Sequence, residues 1–262
     1  MDNSNASPIV ADVVQRFYDS LAQQYTGFYA DWDAASRSEG EFLRALFRAN
    51  GVADGASVLD CACGIGTQAI PLAALGYRVA ASDLSAGALE EAKRRAAARN
   101  VGICFRQADF RALDKIFPER FDAVIAVDNA LPHMLTPGDL AAAVRSMTGR
   151  LRSGGLFAAS IRDYDAILQE KPAYSPPYVH RTDRGRRVLF QTWDWTGDIY
   201  NFTQYIIDDE GTPRVGKFEC AYRAVRRSEL TALLRENGCG EVCWKMPEET
   251  GFYQPIVLAG KE

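Results

Sequence analysis

Hydrophobic positions along this chain recur with two different periods, and the change of period divides it. Val10, Val13, Val14, Phe17 and Leu21 keep helical spacing, and so do Phe42, Leu43, Leu46 and Phe47 in a second helix expected over Glu39 to Asn50, with Gly51 as its stop. Between the two lies an aromatic stretch, Tyr25-Thr26-Gly27-Phe28-Tyr29-Ala30-Asp31-Trp32. Such a segment either docks a helix on the core or covers a ligand. From Ser57 the pattern becomes a regular alternation. Strand-like runs at Ser57 to Cys61, Arg78 to Ser82, Ile103 to Gln107, Phe121 to Val127 and Leu156 to Ile161 are separated by helical patterns, among them Thr67 to Leu75, Ala86 to Arg99 and Asp139 to Leu151. Strands spaced by helices predict a parallel sheet with right-handed crossovers. Ligands of such sheets sit beyond the carboxyl ends of the strands.

After Ile161 the alternation breaks. Pro172, Pro176 and Pro177 interrupt the chain, then strand-like runs appear at Val188 to Trp195, Ile199 to Ile207 and Lys217 to Ala224, separated by turn signals. These predict an antiparallel insertion over about 172–224, rich in Trp193, Trp195, Tyr200, Tyr205 and Tyr222. Placed after the fifth strand, it would stand over the carboxyl edge and roof a pocket. A helix at Ser228 to Asn237 and strands near Glu241 to Lys245 and Pro255 to Ala259 then resume the α/β pattern. The expected organisation is an N-terminal helical segment, 1–50, before one large α/β domain, 51–262.

Composition narrows the classes. With 262 residues, 47% of them hydrophobic and 24% charged, the chain is an ordinary globular one. A net charge of −4 argues against a broad nucleic-acid-binding face. No apolar run reaches membrane-spanning length, and the polar start, Met1 to Asn5, lacks a signal segment, so the expected compartment is the cytoplasm. Cysteines 61, 63, 104, 220, 239 and 243 and only two histidines offer no paired metal set, so reduced structural thiols and no metal are expected.

The candidate chemistry begins at Val58-Leu59-Asp60-Cys61-Ala62-Cys63-Gly64-Ile65-Gly66-Thr67. A buried strand runs into a glycine turn that opens a helix, leaving backbone N–H groups free and allowing close approach of a ligand. Gly64-Ile65-Gly66-Thr67-Gln68-Ala69 also fits the dinucleotide fingerprint, a weak signal alone. Asp60 separates the two possibilities: it opposes a pyrophosphate but suits a ligand bearing a sulfonium and an ammonium. Asp83, 17 residues beyond Gly66 at the end of the second strand, is placed to accept from both hydroxyls of a ribose. Asp109, at the end of the third, could accept from an adenine amino group.

Together these residues resemble class I S-adenosylmethionine (SAM)-dependent methyltransferases over nearly the whole chain, and within them the glycine and sarcosine N-methyltransferases. Phe121-Asp122-Ala123-Val124-Ile125, Asp128-Asn129-Ala130-Leu131-Pro132-His133, Gly154-Gly155-Leu156 and Arg162-Asp163-Tyr164-Asp165 carry the likeness with the glycine turn. The resemblance implies a Rossmann-like, mostly parallel sheet with an antiparallel C-terminal strand, an N-terminal helical lid, SAM as cofactor and a small-molecule acceptor. It further implies that Arg162 holds a substrate carboxylate, that Arg37 binds the SAM carboxylate and that Tyr25 or Tyr29 approaches the methyl donor. The candidate SAM contacts are Tyr25, Trp32, Arg37, Asp60, Ala62, Gly64, Gly66, Asp83, Leu84, Ala108, Asp109, Phe110 and Val127; the candidate catalytic residues are Tyr25, Asn129, His133 and Arg162. The acceptor expected is the nitrogen of an amino acid or related amine, the alternative a phenol or carboxylate oxygen. His133 could serve as base for a hydroxyl acceptor. An NAD-dependent oxidoreductase is disfavoured by Asp60, and a non-catalytic SAM-binding module by the elaborate roof.

Overall fold

The computed structural model describes residues 8–183 and 185–262, without the side chains of 8–10; the polar start read above and the Val10 side chain lie outside the described residues. The described chain opens with α1 (Pro8–Leu21), a 3-10 turn over Ala22–Phe28 and α2 (Trp32–Ala49). The alternation follows as β1 (Ser57–Asp60), α3 (Ala69–Ala74), β2 (Arg78–Asp83), α4 (Ala86–Ala98), β3 (Cys104–Gln107), β4 (Phe121–Ala126), α5 (Pro137–Thr148) and β5 (Leu151–Ser160). A short helix, α6 (Tyr164–Glu170), leads into β6 (Tyr178–Thr182), β7 (Gly185–Thr196), β8 (Ile199–Asp209) and β9 (Arg214–Arg223). The chain returns through α7 (Arg227–Glu236), β10 (Cys239–Lys245), α8 (Pro247–Thr250) and β11 (Ile256–Lys261).

Seven strands form one sheet in the order β10-β11-β5-β4-β1-β2-β3, parallel except that β11 runs against both neighbours. Both faces are covered over the middle of the sheet, which is why β1, β4 and β11 read as nearly continuous apolar runs, while the edge strand β3 is mostly exposed. Leu59, Val124 and Phe157 point into a core shared with α1, α5 and the second sheet. Their neighbours Val58, Ile125 and Ala158 point into the opposite core, under α2 and α3. The other four strands form a separate antiparallel sheet, β6-β7-β8-β9. Trp193, Tyr200, Phe202 and Tyr222 turn its inner face onto the first core, with Phe202 stacked on Tyr222 at 4.6 Å. The insertion thus holds to the body through aromatic packing.

Four differences from the sequence pattern have local causes. Helix α2 starts earlier than expected because Asp31 caps it, accepting from the Ala34 N–H at 2.9 Å. Helix α5 stops at Thr148, and β5 begins at Leu151 with an irregular register, Phe121 facing Leu151 while Ala123 faces Leu156. Helix α6 has no apolar period of its own length; Asp163 starts it and Lys171 ends it at φ 44°. Strand β6 follows directly on Pro176-Pro177, which fits its place at the sheet edge, where a missing N–H disrupts nothing.

Candidate active site

Two cavities open at the carboxyl edge of the large sheet. The first, about 870 Å³ including its open mouth, is walled by the turn after β1 (Cys61 to Gly64), by Asp83 at the end of β2 and Leu84 beyond it, by Ala108 to Arg111 after β3 and by Val127 and Asp128 after β4. Helix α1 closes it with Ala11, Val14 and Tyr18, and the 3-10 turn adds Tyr25. Gly64 has φ 51° and only open space where a Cβ would stand, so the backbone is bared to the cavity. Asp83 lies beside it, its two oxygens accepting from the Gly64 and Ser85 N–H groups, each at 2.8 Å. Each oxygen keeps a lone pair for a hydroxyl. Burial raises the Asp83 carboxyl above its usual range, against the lowering by those N–H groups.

Asp60 sits immediately behind this wall, fully buried. One oxygen accepts from the Ala62 N–H at 3.3 Å, and Oδ2 has no partner. Burial pushes its carboxyl up to about 8, with the charges of Asp83 and Asp128 adding to the rise. A carboxylate with an orphaned oxygen behind the glycine turn is a feature that a positively charged ligand would relieve.

The second cavity, about 2240 Å³ with its open part, lies between the sheet edge and the insertion. Phe17 and Leu21 of α1, Phe28 and Tyr29 of the 3-10 turn, and Leu189, Phe190, Phe202 and Tyr222 of the second sheet make it strongly aromatic. Arg162 projects into it. Its guanidinium donates to Tyr200 Oη at 3.0 Å and Gln191 Oε1 at 3.2 Å, and lies 5.2 Å from the Trp193 ring and 5.4 Å from that of Tyr222. A salt bridge to the neighbouring acids does not form, since Asp163 and Asp165 pair with Arg227 at 3.0 and 3.1 Å. Among the described residues every partner of the Arg162 cation is therefore neutral. Asn129 fixes its backbone, accepting from the Arg162 N–H at 3.0 Å while donating to Tyr164 Oη at 3.0 Å.

His133 is buried on the first cavity. Its Nδ1 lies 3.2 Å from the Ala221 carbonyl, which can only accept, so Nδ1 carries the proton and Nε2 accepts from Tyr18 Oη at 2.9 Å. Burial lowers its pKa to about 3, and the Arg162 charge acts in the same direction. The imidazole is held neutral with both nitrogens engaged, which leaves neither free to act as base for a hydroxyl, the alternative acceptor read from the sequence.

Of the sequence candidates, the first cavity gathers Tyr25, Ala62, Gly64, Asp83, Leu84, Ala108, Asp109, Phe110, Val127 and His133, and the second gathers Tyr25, Asn129 and Arg162. Four candidates stay outside both walls. Trp32 is buried among Ile65, Ile70 and Ala88, its indole donating to Thr67 Oγ1 at 3.1 Å, so it braces the glycine turn from behind. Arg37 is exposed on α2, away from either cavity. Asp60 stands behind the wall, and Gly66 faces Ile70, whose Cδ1 would lie 2.6 Å from an added Cβ. Asp109 lines the cavity, but Arg111 already donates to both its oxygens. Tyr18, Glu39, Gln191 and Tyr253 escaped the sequence reading because they come from distant segments with no motif around them, and Gln68, though inside the glycine turn's motif, occupies one of its variable positions. Among the described residues no three His, Cys, Asp or Glu side chains gather as a metal set, and no helix is long and apolar enough to cross a membrane.

This strand order, with its reversed last strand and a cavity at the strand tips, defines a Rossmann-like fold of the methyltransferase type. Residues 58–155 match the family described as "Methyltransferase domain". A glycine/sarcosine N-methyltransferase from Parasynechococcus marenigrum is 33% identical over 139 residues, covering 53% of this chain and 48% of that protein. Glycine N-methyltransferase from Rattus norvegicus is 32% identical over 207 residues, covering 68% and 67%. A solved amino pentose methyltransferase from Micromonospora echinaspora superposes with a TM-score of 0.73 at 20% identity, over 92% of this chain and 95% of that one. The chain belongs to the class I SAM-dependent methyltransferases. It spans about half the length of the glycine/sarcosine enzymes it matches.

Proposed function

We propose that the chain binds SAM in the first cavity and transfers its methyl group to the nitrogen of a small amino acid or related amine held in the second. The observation that carries the acceptor is Arg162, a half-buried cation with only neutral partners among the described residues, walling a cavity that meets the first one. A planar guanidinium so placed favours a carboxylate. The first cavity fits SAM by its donor set: Asp83 would take the ribose hydroxyls, the bared backbone at Gly64 would allow close approach, and the orphaned Asp60 oxygen favours a cation. SAM supplies a methyl group already activated by its sulfonium. The protein's part is therefore to align the acceptor and keep water out. Phe28, Phe202 and Tyr222 exclude water; Arg162 and Asn129 fix the carboxylate end of the acceptor. The test is methyl-donor consumption against a panel of amino acids, simple amines and phenols, with SAM and NAD titrated calorimetrically. Turnover of a carboxylate-bearing amine is expected; turnover of phenols alone would replace nitrogen by oxygen as the acceptor, and binding of NAD in place of SAM would end the proposal.

A further inference from the structure

Among the described residues the two cavities share three wall residues, Tyr18, Tyr25 and Asp128. If donor and acceptor occupy one cavity each, the methyl group passes at this seam. Tyr18 is committed there, its hydroxyl donating to a neutral His133. Asp128 is the one carboxylate on the seam. Its Oδ1 accepts from Tyr253 Oη at 2.6 Å and its Oδ2 from Gln68 Nε2 at 2.8 Å, both neutral donors. The same Gln68 Nε2 donates to Glu39 Oε2 at 2.5 Å, so one amide joins two carboxylates. The seam and Arg162 are also tied together, since Asn129, the next residue, accepts from the Arg162 N–H.

We infer that Asp128, backed by Glu39 across Gln68, takes the proton from the ammonium form of the acceptor. This rests on the N-methyl reading above and names the acceptor class: amines that reach the enzyme charged. The N–H bond breaks with its electron pair staying on nitrogen, and the proton passes to an Asp128 oxygen. The freed lone pair then attacks the methyl carbon, and the S–C bond breaks with its pair going to sulfur. The products are a methylated ammonium and a neutral thioether, and Asp128 gives its proton to water when the site opens.

The surroundings suit a proton acceptor. Among the described residues, the charged and titratable groups facing Asp128 are Tyr25 and Tyr29 from the 3-10 turn, Glu39 from α2, Asp60 from the end of β1 and Tyr253 from the loop before β11; none is a cation. Burial raises Asp128 above the carboxylate range, and it raises Glu39 to about 8, with the Asp128 charge adding to that rise. The pair therefore holds a proton far more readily than an exposed aspartate, while His133 does so far less.

The test compares wild type with Asp128→Asn, a side chain that also tolerates the φ of 59° found here. Glycine, sarcosine and L-phenylalanine serve as ammonium acceptors, and 3-aminobenzoate, whose nitrogen is neutral at neutral pH, as the control. For an ammonium acceptor turned over by wild type, Asp128→Asn should lower kcat at neutral pH about a hundredfold, with recovery at alkaline pH. SAM affinity by calorimetry should stay within about threefold, and so should turnover of 3-aminobenzoate. Calorimetry in buffers of different ionisation heat should show no net proton exchange when an ammonium acceptor binds the wild-type S-adenosylhomocysteine complex, and proton release to buffer when it binds that of the variant as the free amine. Glu39→Gln, a second variant should the first fold poorly, should lower kcat less and move the acid limb of the pH profile downward. Wild-type turnover of an ammonium acceptor with both variants unimpaired overturns this inference alone. Failure of wild type to methylate any amine while methylating phenols overturns the N-methyl reading itself.

Discussion

Asp83 and Arg162 are the residues on which the two cavities turn. The Asp83 carboxylate receives two backbone N–H groups and still faces the cavity, so Asp83→Ala is expected to weaken SAM by about 1.5–3 kcal/mol, the scale of hydrogen bonds to a charged group. Calorimetry checks this, and unaltered affinity would remove Asp83 from the site. Arg162→Lys keeps a charge but loses the planar fork that reaches Tyr200 and Gln191 together. The KM of a carboxylate-bearing acceptor should rise about tenfold, or 1.4 kcal/mol, with SAM affinity unchanged. Gly66 makes the contrasting case. Its φ is 90° and Ile70 occupies the place of a side chain, so Gly66→Val should lower thermal stability by about 1–3 kcal/mol through overpacking, with backbone strain in addition. A variant that kept its melting temperature and lost only SAM would return Gly66 to the ligand side of the turn.

At the scale of elements, the middle of the large sheet was legible because β1, β2 and β4 are short apolar runs stopped by a polar tip, Asp60, Asp83 and Asp128. The tips also gave most of the first cavity, since a strand end fixes where its next residues point. Elements built by capping rather than by period were hidden: α6 depends on Asp163, and β6 on pairing with β7. The residues gathered around Asp128 were hidden for a related reason, because Gln68, Glu39 and Tyr253 meet there only after three segments have packed. The aromatic segment was legible as a feature but not as a contact map: Tyr25 reaches both cavities while Trp32 turns the other way, onto Thr67. Helix α1 is fastened at its far end, Asp19 accepting from the Ser85 hydroxyl at 2.5 Å and from the Gly87 N–H at 2.9 Å. If the segment from Tyr25 to Trp32 works as a lid, SAM should slow its hydrogen exchange at Tyr25 to Tyr29 more than at the braced Trp32. Equal protection with and without SAM would mark it as fixed packing.

For the molecule as a whole, the buried carboxyls make stability depend on pH in an unusual direction. Asp60 and Glu39, each raised to about 8, keep protons in the folded state that the unfolded chain has already lost. Stability should therefore fall as pH rises from the ordinary carboxylate range to about 8. His133 opposes this between about 3 and its ordinary 6.5, where only the unfolded chain gains a proton, so the fall should be steepest from 6.5 to about 8. Thermal melts of ligand-free protein check the sign, and Asp60→Asn should flatten the slope. A second consequence lies in how the cavity walls are distributed along the chain. The lining of the first ends at Asp139, whereas the second draws on Ser175 to Tyr222. The second also takes Phe17 to Glu39, Asn129 and Arg162 from the body, but only it draws on the insertion, so on the proposed reading part of acceptor choice, and none of the donor site, lies in a stretch that leaves and rejoins the body between β5 and α7. A lineage could exchange that stretch, as one changes a tool in a fixed chuck, and arrive at a new acceptor with its grip on the donor inherited intact.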